Sequence, residues 1–274
     1  MMPGLAVIAR QRSGTNFLRS LIAASTNLAN LGEVFDVKAA RYAINFFNYR
    51  QERQYQEVAP LEREACVAEL VGYFSFLRQA HPHHVIDIKY DQTLLAKPTY
   101  QSPAQPYPVF EALRQSGYGA VHLMRQNVCA SIISHRVAGV SGIWHVPRDG
   151  GEPVFGVKVQ VEPRQFLAEI GRRERELALF DSFCAGLPRL MRVRYEALDA
   201  ADDAERAAML QEMCRIGGGE FAYVGAPAFR KSLGHWLDYV ENRDEVVAAL
   251  AASPAYAHHL ADMPPDVPSH RIAP

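Results

Sequence analysis

Apolar positions along the chain fall into two rhythms. Short apolar runs at Leu5-Ala6-Val7-Ile8-Ala9, Val85–Asp91, Ala120–Met124 and Leu190–Tyr195 have the length of strands. The first reads as a strand buried on both faces. Between these runs, apolar residues recur every three or four positions. Phe17, Leu18, Leu21 and Ile22 predict a helix starting near Thr15 or Asn16, and Cys66, Val67, Leu70, Val71, Phe74 and Leu77 predict another over 61–79. Further helices are expected over 109–115, 127–138, 166–183 and 203–216, with two short ones near the end. Segment 30–36 reads as a turn leading into irregular structure, and the proline-rich 96–108 as a loop. Residues 139–160, with five glycines, two prolines and Trp144, read as a long functional loop. The aromatic stretch 39–50 suits a helix beside a substrate cleft, although core packing is the stronger reading for any one ring. Strand–helix alternation predicts an α/β fold with three layers, α/β/α, a central mostly parallel sheet and helices on both faces. No repeat or linker interrupts it, so residues 1–274 are expected to form a single domain.

Composition narrows the function classes. The chain has 274 residues, 49% hydrophobic and 22% charged, with a net charge of −1. This balance argues against nucleic acid or a membrane surface as the main partner, yet leaves room for a local basic site. Cys66, Cys129, Cys184 and Cys214 are far apart and form no C-x-x-C, so free thiols in a reducing compartment are expected, with no metal. The N-terminus lacks the basic n-region of a leader and runs straight into the first strand. No apolar run approaches the roughly 18 residues of a membrane span. A cytoplasmic location is the expectation.

The chemistry concentrates just after the first strand, in Arg10-Gln11-Arg12-Ser13-Gly14-Thr15-Asn16. A strand that feeds a polar turn into a helix N-terminus aims several backbone N–H groups at one spot, at the positive end of the helix dipole. Such a spot suits a phosphate or another oxyanion. Gly14 allows close backbone approach, and Ser13 and Thr15 can add hydroxyl donors. The fold is therefore expected to be P-loop-like, but the loop is not the Walker pattern GxxxxGK[ST]: there is no second glycine, and the cation Arg12 precedes Gly14. Helix capping alone would also account for Ser-Gly-Thr. Farther on, Arg125 stands at the carboxyl end of a strand, where parallel sheets bind ligands, and its guanidinium fork matches phosphate.

The order cation-Ser-Gly-Thr after a buried strand resembles the 5′-phosphosulfate loop of sulfotransferases that use 3′-phosphoadenosine 5′-phosphosulfate (PAPS). Arg125, Asn127, Ser134 and His135, as RxNxxxxxxSH, resemble the bacterial carbohydrate branch of that family, of the nodulation and trehalose type. The resemblance implies that Arg12, Ser13, Gly14, Thr15 and Asn16 hold the cofactor's 5′ end, and that Arg125 and Ser134 hold its 3′-phosphate. Arg194-Tyr195-Glu196-Ala197-Leu198 is similar to the family's YEDL segment, with Ala197 in place of the aspartate. Tyr195 would then lie near the adenine, or else simply end a strand. Arg230-Lys231-Ser232-Leu233-Gly234 is similar to the basic loop that closes over the 3′-phosphate, with its glycine later than usual. The likeness spans residues 5–242.

What the resemblance implies is in-line transfer of a sulfuryl group from PAPS, without a metal, to a hydroxyl of a small molecule or glycan, a carbohydrate or glycolipid in this branch. Leu31-Gly32-Glu33-Val34-Phe35 is similar to the segment that supplies a glutamate base there, so Glu33 is the candidate base, with Arg12 and Lys89 as catalytic cations. Asp91, two residues after Lys89, stands where the branch acting on phenols and steroids has its histidine, and is the rival base. The alternatives are a P-loop phosphotransferase using ATP and a catalytically inactive nucleotide-binding protein.

Overall fold

The computed structural model describes residues 4–39, 43–53, 62–96, 105–144, 146, 156–229 and 234–261. Strand β1 (Leu5–Ala9) is buried along its whole length. Around it assemble β2 (Ala29–Glu33), β3 (His84–Lys89), β4 (Gly119–Met124) and β5 (Leu190–Arg194), in the order β2-β3-β1-β4-β5. Every pairing is parallel, with Ala9 opposite Lys89 on one side and Leu123 on the other.

Alternation along β1 builds the three layers. Leu5, Val7 and Ala9 join a core with α1 (Thr15–Ser25), α7 (Tyr195–Ala200) and α8 (Asp203–Gly217). Ala6 and Ile8 face the opposite way, into a core with α2 (Phe46–Glu52), α3 (Arg63–Ala80), α4 (Pro108–Gln115) and the last turns of α6 (Pro163–Cys184). A strand with apolar residues at every position is what a sheet covered on both faces demands. The expected three-layer, P-loop-like α/β/α architecture is the fold. The four cysteines are free and buried, and burial pushes the Cys184 thiol up to about 12.

Two elements depart from the sequence reading, and in one of them Tyr195, expected to end the fourth strand, instead opens the short helix α7 directly after β5. Residues 29–33 are not a turn but the edge strand β2, paired with β3. Its composition, Ala-Asn-Leu-Gly-Glu, has no β-branched residue, and only pairing with β3 makes it a strand. A bulge between Asn30 and Gly32 shifts its register. In a regular strand, positions 30 and 33 face opposite ways. Here Asn30 accepts a hydrogen bond from Arg19 of α1 (3.0 Å), Leu31 packs into the core on the other face, and Glu33 reaches Lys89 on the α1 side.

The chain divides into two compact units, one of residues 1–124 and 177–229, holding the sheet, and one of 125–176 and 230–274. The second contains α5 (Val128–Ser141), the first part of α6 and α9 (Arg243–Ala251), around a core that includes Ile132, Phe166, Trp236 and Leu250. Of the aromatic segment 39–50, residues 40–42 lie outside the described residues, and Phe46 and Tyr49 are buried on α2 and meet Tyr73 edge-on in the core. Residues 97–104 of the proline-rich segment, and 145 and 147–155 of the proposed functional loop, lie outside the described residues, while 139–141 form the last turn of α5.

Candidate active site

The turn after β1 is shaped by two left-handed residues. Arg12 has φ +66° and is the one non-glycine residue with positive φ among those described. For a long side chain that conformation is unfavourable and persists only where the surroundings impose it. Gly14, with φ +86°, occupies the N-cap of α1 and gives it no side-chain cap. Tyr195, first residue of α7 and 5% exposed, lies against this turn: a β-carbon on Gly14 would stand 2.2 Å from Tyr195 Cδ2. Its ring also meets Phe17 edge-on, with centroids 6.5 Å apart.

A buried polar cluster adjoins the turn at the carboxyl ends of β2 and β3. Lys89 ends β3 and is 3% exposed. Its ammonium donates to the Thr15 hydroxyl and to Asp87 Oδ2 (2.5 Å), and stands 3.5 Å from Glu33 Oε1. Asp87, fully buried, is also paired with Arg19 Nε at 3.1 Å. Arg19 in turn donates to the side-chain oxygens of Asn16 and Asn30. Glu33 Oε2 accepts from Gln92 Nε2 (3.0 Å), and Gln92 Oε1 accepts from the Lys89 backbone N–H (3.1 Å). Each carboxylate oxygen can accept more than one hydrogen bond, so Glu33 keeps acceptor capacity for a further donor.

The sequence-predicted residues are thus partly assembled. Ser13, Gly14, Thr15 and Asn16 lie with Lys89 and Glu33 in the sheet unit, and Arg12 shares their turn. Asp91 is exposed and accepts from Gln11 Nε2 at 3.4 Å. Asn16, expected on the cofactor, holds Arg19. Arg125 and Ser134 belong to the second unit, where Ser134 is buried on α5 and Arg125 half-buried just before it. Asn127 caps α5 by accepting from the Ala130 N–H at 2.8 Å. Arg230 and Lys231 lie outside the described residues. Sequence reasoning missed Asp87, Arg19 and Gln92. The signal for Asp87 was its place inside Ile86-Asp87-Ile88, where a buried acid requires a cation. Arg19 follows Thr15 by one helical turn, on the same face.

Behind β1, Tyr90 anchors the turn by donating its backbone N–H to Ala9 O (3.1 Å). Its hydroxyl lies 2.5 Å from His122 Nε2, whose Nδ1 is 3.1 Å from Asp181 Oδ1, which also pairs with Arg192 at 2.6 Å. Desolvation lowers the His122 pKa and raises that of Tyr90, so a neutral imidazole donates to Asp181 and accepts from the phenol. The same logic holds for His84, which lies between His81 O and the Tyr118 hydroxyl, 2.6 Å from each. Both rings serve the core.

No protein-family model matches the chain, and neither does any curated protein. Among solved structures it is similar to the sulfotransferase domain of the Synechococcus PCC 7002 olefin synthase, with TM-score 0.38 and 13% identity over 80% of this chain and 74% of that one. It is also similar to the sulfotransferase domain from the curacin biosynthetic pathway, with TM-score 0.39 and 17% identity over 81% and 76%. A thymidylate kinase from Candida albicans aligns with TM-score 0.31 and 11% identity over 84% and 99%. Scores this low carry no inference about function, and the fold assignment rests on the sheet itself. No helix among the described residues is long and apolar enough to cross a membrane.

Proposed function

We propose that the chain is a sulfotransferase that moves a sulfuryl group from PAPS to a hydroxyl acceptor, a carbohydrate or glycolipid, with Glu33 as general base. The observation that carries this reading is the position of the Lys89 ammonium, joined at once to Thr15 of the anion loop, to Asp87 and to Glu33. PAPS, when bound, supplies an activated sulfuryl group on a phosphate leaving group. The loop N–H groups, Ser13 and Thr15 suit that end of the molecule, since they offer donors and a helix dipole to an oxyanion. Arg12 and Lys89 contribute positive charge where negative charge develops on the leaving phosphate. Glu33, held by Lys89 and Gln92, accepts the proton of the attacking hydroxyl. Arg125, Ser134, Tyr195, Arg230 and Lys231 keep their cofactor roles on the sequence resemblance alone.

The same cluster disfavours the ATP-dependent alternative. The carboxylate on the strand beside the loop, Asp87, already faces two fixed cations, Arg19 and Lys89. A magnesium ion at that carboxylate would meet their repulsion, whereas sulfuryl transfer asks only for the positive charge they supply. A thermal-shift comparison tests the reading: PAP, the desulfated product, raises the melting temperature, and ATP with Mg²⁺ does less. Mass spectrometry with a panel of sugar acceptors then detects the transferred group. Stabilisation by ATP with Mg²⁺ and none by PAP would overturn the proposal.

A further inference from the structure

We infer that Glu174, His258 and His259 form a binding site for a divalent transition-metal ion of the zinc type, which clips the short 3₁₀ turn Ala257–Leu260 onto α6. All three residues belong to the second unit, and none takes part in the proposed sulfuryl transfer. One ligand atom from each lies within 4.8 Å of the others.

The convergence of the two histidines is the unusual feature. Successive residues of a 3₁₀ helix are about 120° apart around its axis, so neighbouring side chains normally diverge. Here the two imidazoles lie face to face, with centroids 4.0 Å apart and planes tilted by 39°. Both bring Nε2 to one atom, Glu174 Oε1, at 3.0 Å from His259 and 3.6 Å from His258. Ligands about 2.1 Å from a tetrahedral zinc are themselves about 3.4 Å apart, so these two separations bracket the edge that a zinc ion requires. Two imidazoles and a carboxylate are also a donor set suited to zinc. Three protein ligands leave a fourth position for water.

The scaffold holds this arrangement from both sides. Tyr256, just before the turn, and Leu260, its last residue, both pack against the apolar core of the second unit. Gly171, one helical turn before Glu174 on α6, permits the approach: a β-carbon there would stand 2.3 Å from the Tyr256 hydroxyl. The turn is thus set in register over Glu174. Burial grades across the site, with His259 at 6% exposure, Glu174 at 34% and His258 at 61%. A buried ligand fixes the site, and an exposed one gives the ion its way in.

The test uses the full chain, stripped of metal with a chelator and titrated calorimetrically with Zn²⁺. The proposal expects uptake of about one equivalent and a rise in melting temperature with zinc concentration. Glu174→Gln and His258→Ala should each weaken uptake by at least about tenfold, given that even the outer-shell partners of metal ligands are worth that much. His258 is exposed, so its replacement leaves folding intact, and circular dichroism checks Glu174→Gln. Cobalt substitution adds a signature that folding alone cannot give: tetrahedral visible bands in the wild type that are lost in both variants. No zinc uptake by the wild type would mean that the cluster is only one His259–Glu174 hydrogen bond with His258 beside it, and would overturn the inference. Uptake unchanged in both variants would overturn it too, by placing the metal elsewhere.

Discussion

Tyr195 lies so close to Gly14 that a single added carbon cannot fit between them: a β-carbon on Gly14 would be 2.2 Å from Tyr195 Cδ2. The ring comes from the far end of the sheet, after β5, and presses on the loop after β1. Gly14→Ala meets this contact and also the left-handed backbone at φ +86°, a conformation costing a non-glycine residue about 1–3 kcal/mol. The expected outcome is a displaced turn, with PAP affinity falling by about tenfold or more at 1.4 kcal/mol per decade. Calorimetry on the folded variant reads it. Adding Tyr195→Ala, which opens the space, should restore part of the melting temperature lost by Gly14→Ala, a readout separate from affinity because Tyr195 is itself assigned to the cofactor.

Glu33→Gln keeps the hydrogen-bonding shape of the side chain and removes its basicity. PAP affinity should stay near wild type, while turnover falls by about 10²–10⁴, the usual contribution of a positioned acid or base. Asp91→Asn should do much less, since Asp91 is exposed and tied only loosely to Gln11 at 3.4 Å. Steady-state rates for both variants decide the point. Retained activity in Glu33→Gln together with loss in Asp91→Asn would transfer the role of base to Asp91.

Arg125→Ala should weaken PAP binding by roughly tenfold to hundredfold, since charge-assisted hydrogen bonds contribute about 1.5–3 kcal/mol. Titration calorimetry measures it, and wild-type affinity would reject the assignment of Arg125 to the 3′-phosphate. Arg12→Ala should behave differently. If the guanidinium acts on charge that builds up during transfer, kcat falls more than PAP affinity does.

His84 predicts a pH dependence of stability. Burial lowers its pKa from 6.5 to about 4, so between these values the unfolded chain binds a proton that the folded one does not. Stability is fully present above about pH 6.5 and is lost as pH falls towards 4, by roughly 2–4 kcal/mol from this group at about 1.4 kcal/mol per unit. Urea denaturation at a series of pH values should show the midpoint falling through that window. His84→Gln, which cannot titrate, should flatten the slope; an unchanged slope would assign the effect to other histidines.

Periodicity made the sheet and its helices legible because burial on two faces leaves an unmistakable trace, as in Leu5–Ala9 and α3. The anion loop was legible as well, since Ser13, Gly14 and Thr15 sit at a boundary between strand and helix that local residues define. Strand β2 was not, because Ala29-Asn30-Leu31-Gly32-Glu33 carries no β-branched or aromatic residue and owes its form to β3, some fifty residues on. The partners of Lys89 were hidden for the same reason. Arg19, Asp87 and Gln92 meet only after folding, and no local pattern joins them. Glu174 and the pair His258-His259 are likewise far apart along the chain, outside any spacing that marks a metal site by eye.

The bulge in β2 makes the identity of the residue facing Lys89 a matter of counting parity. Straighten the bulge without removing a residue, and a regular strand would turn the Glu33 carboxylate to the opposite face, with no change in any side chain's chemistry. A related chain without that insertion would need its base at a position of the other parity to reach the same ammonium. Counterparts of Glu33 should therefore be sought by the face they occupy, because numbering from the anion loop alone would point to the wrong residue.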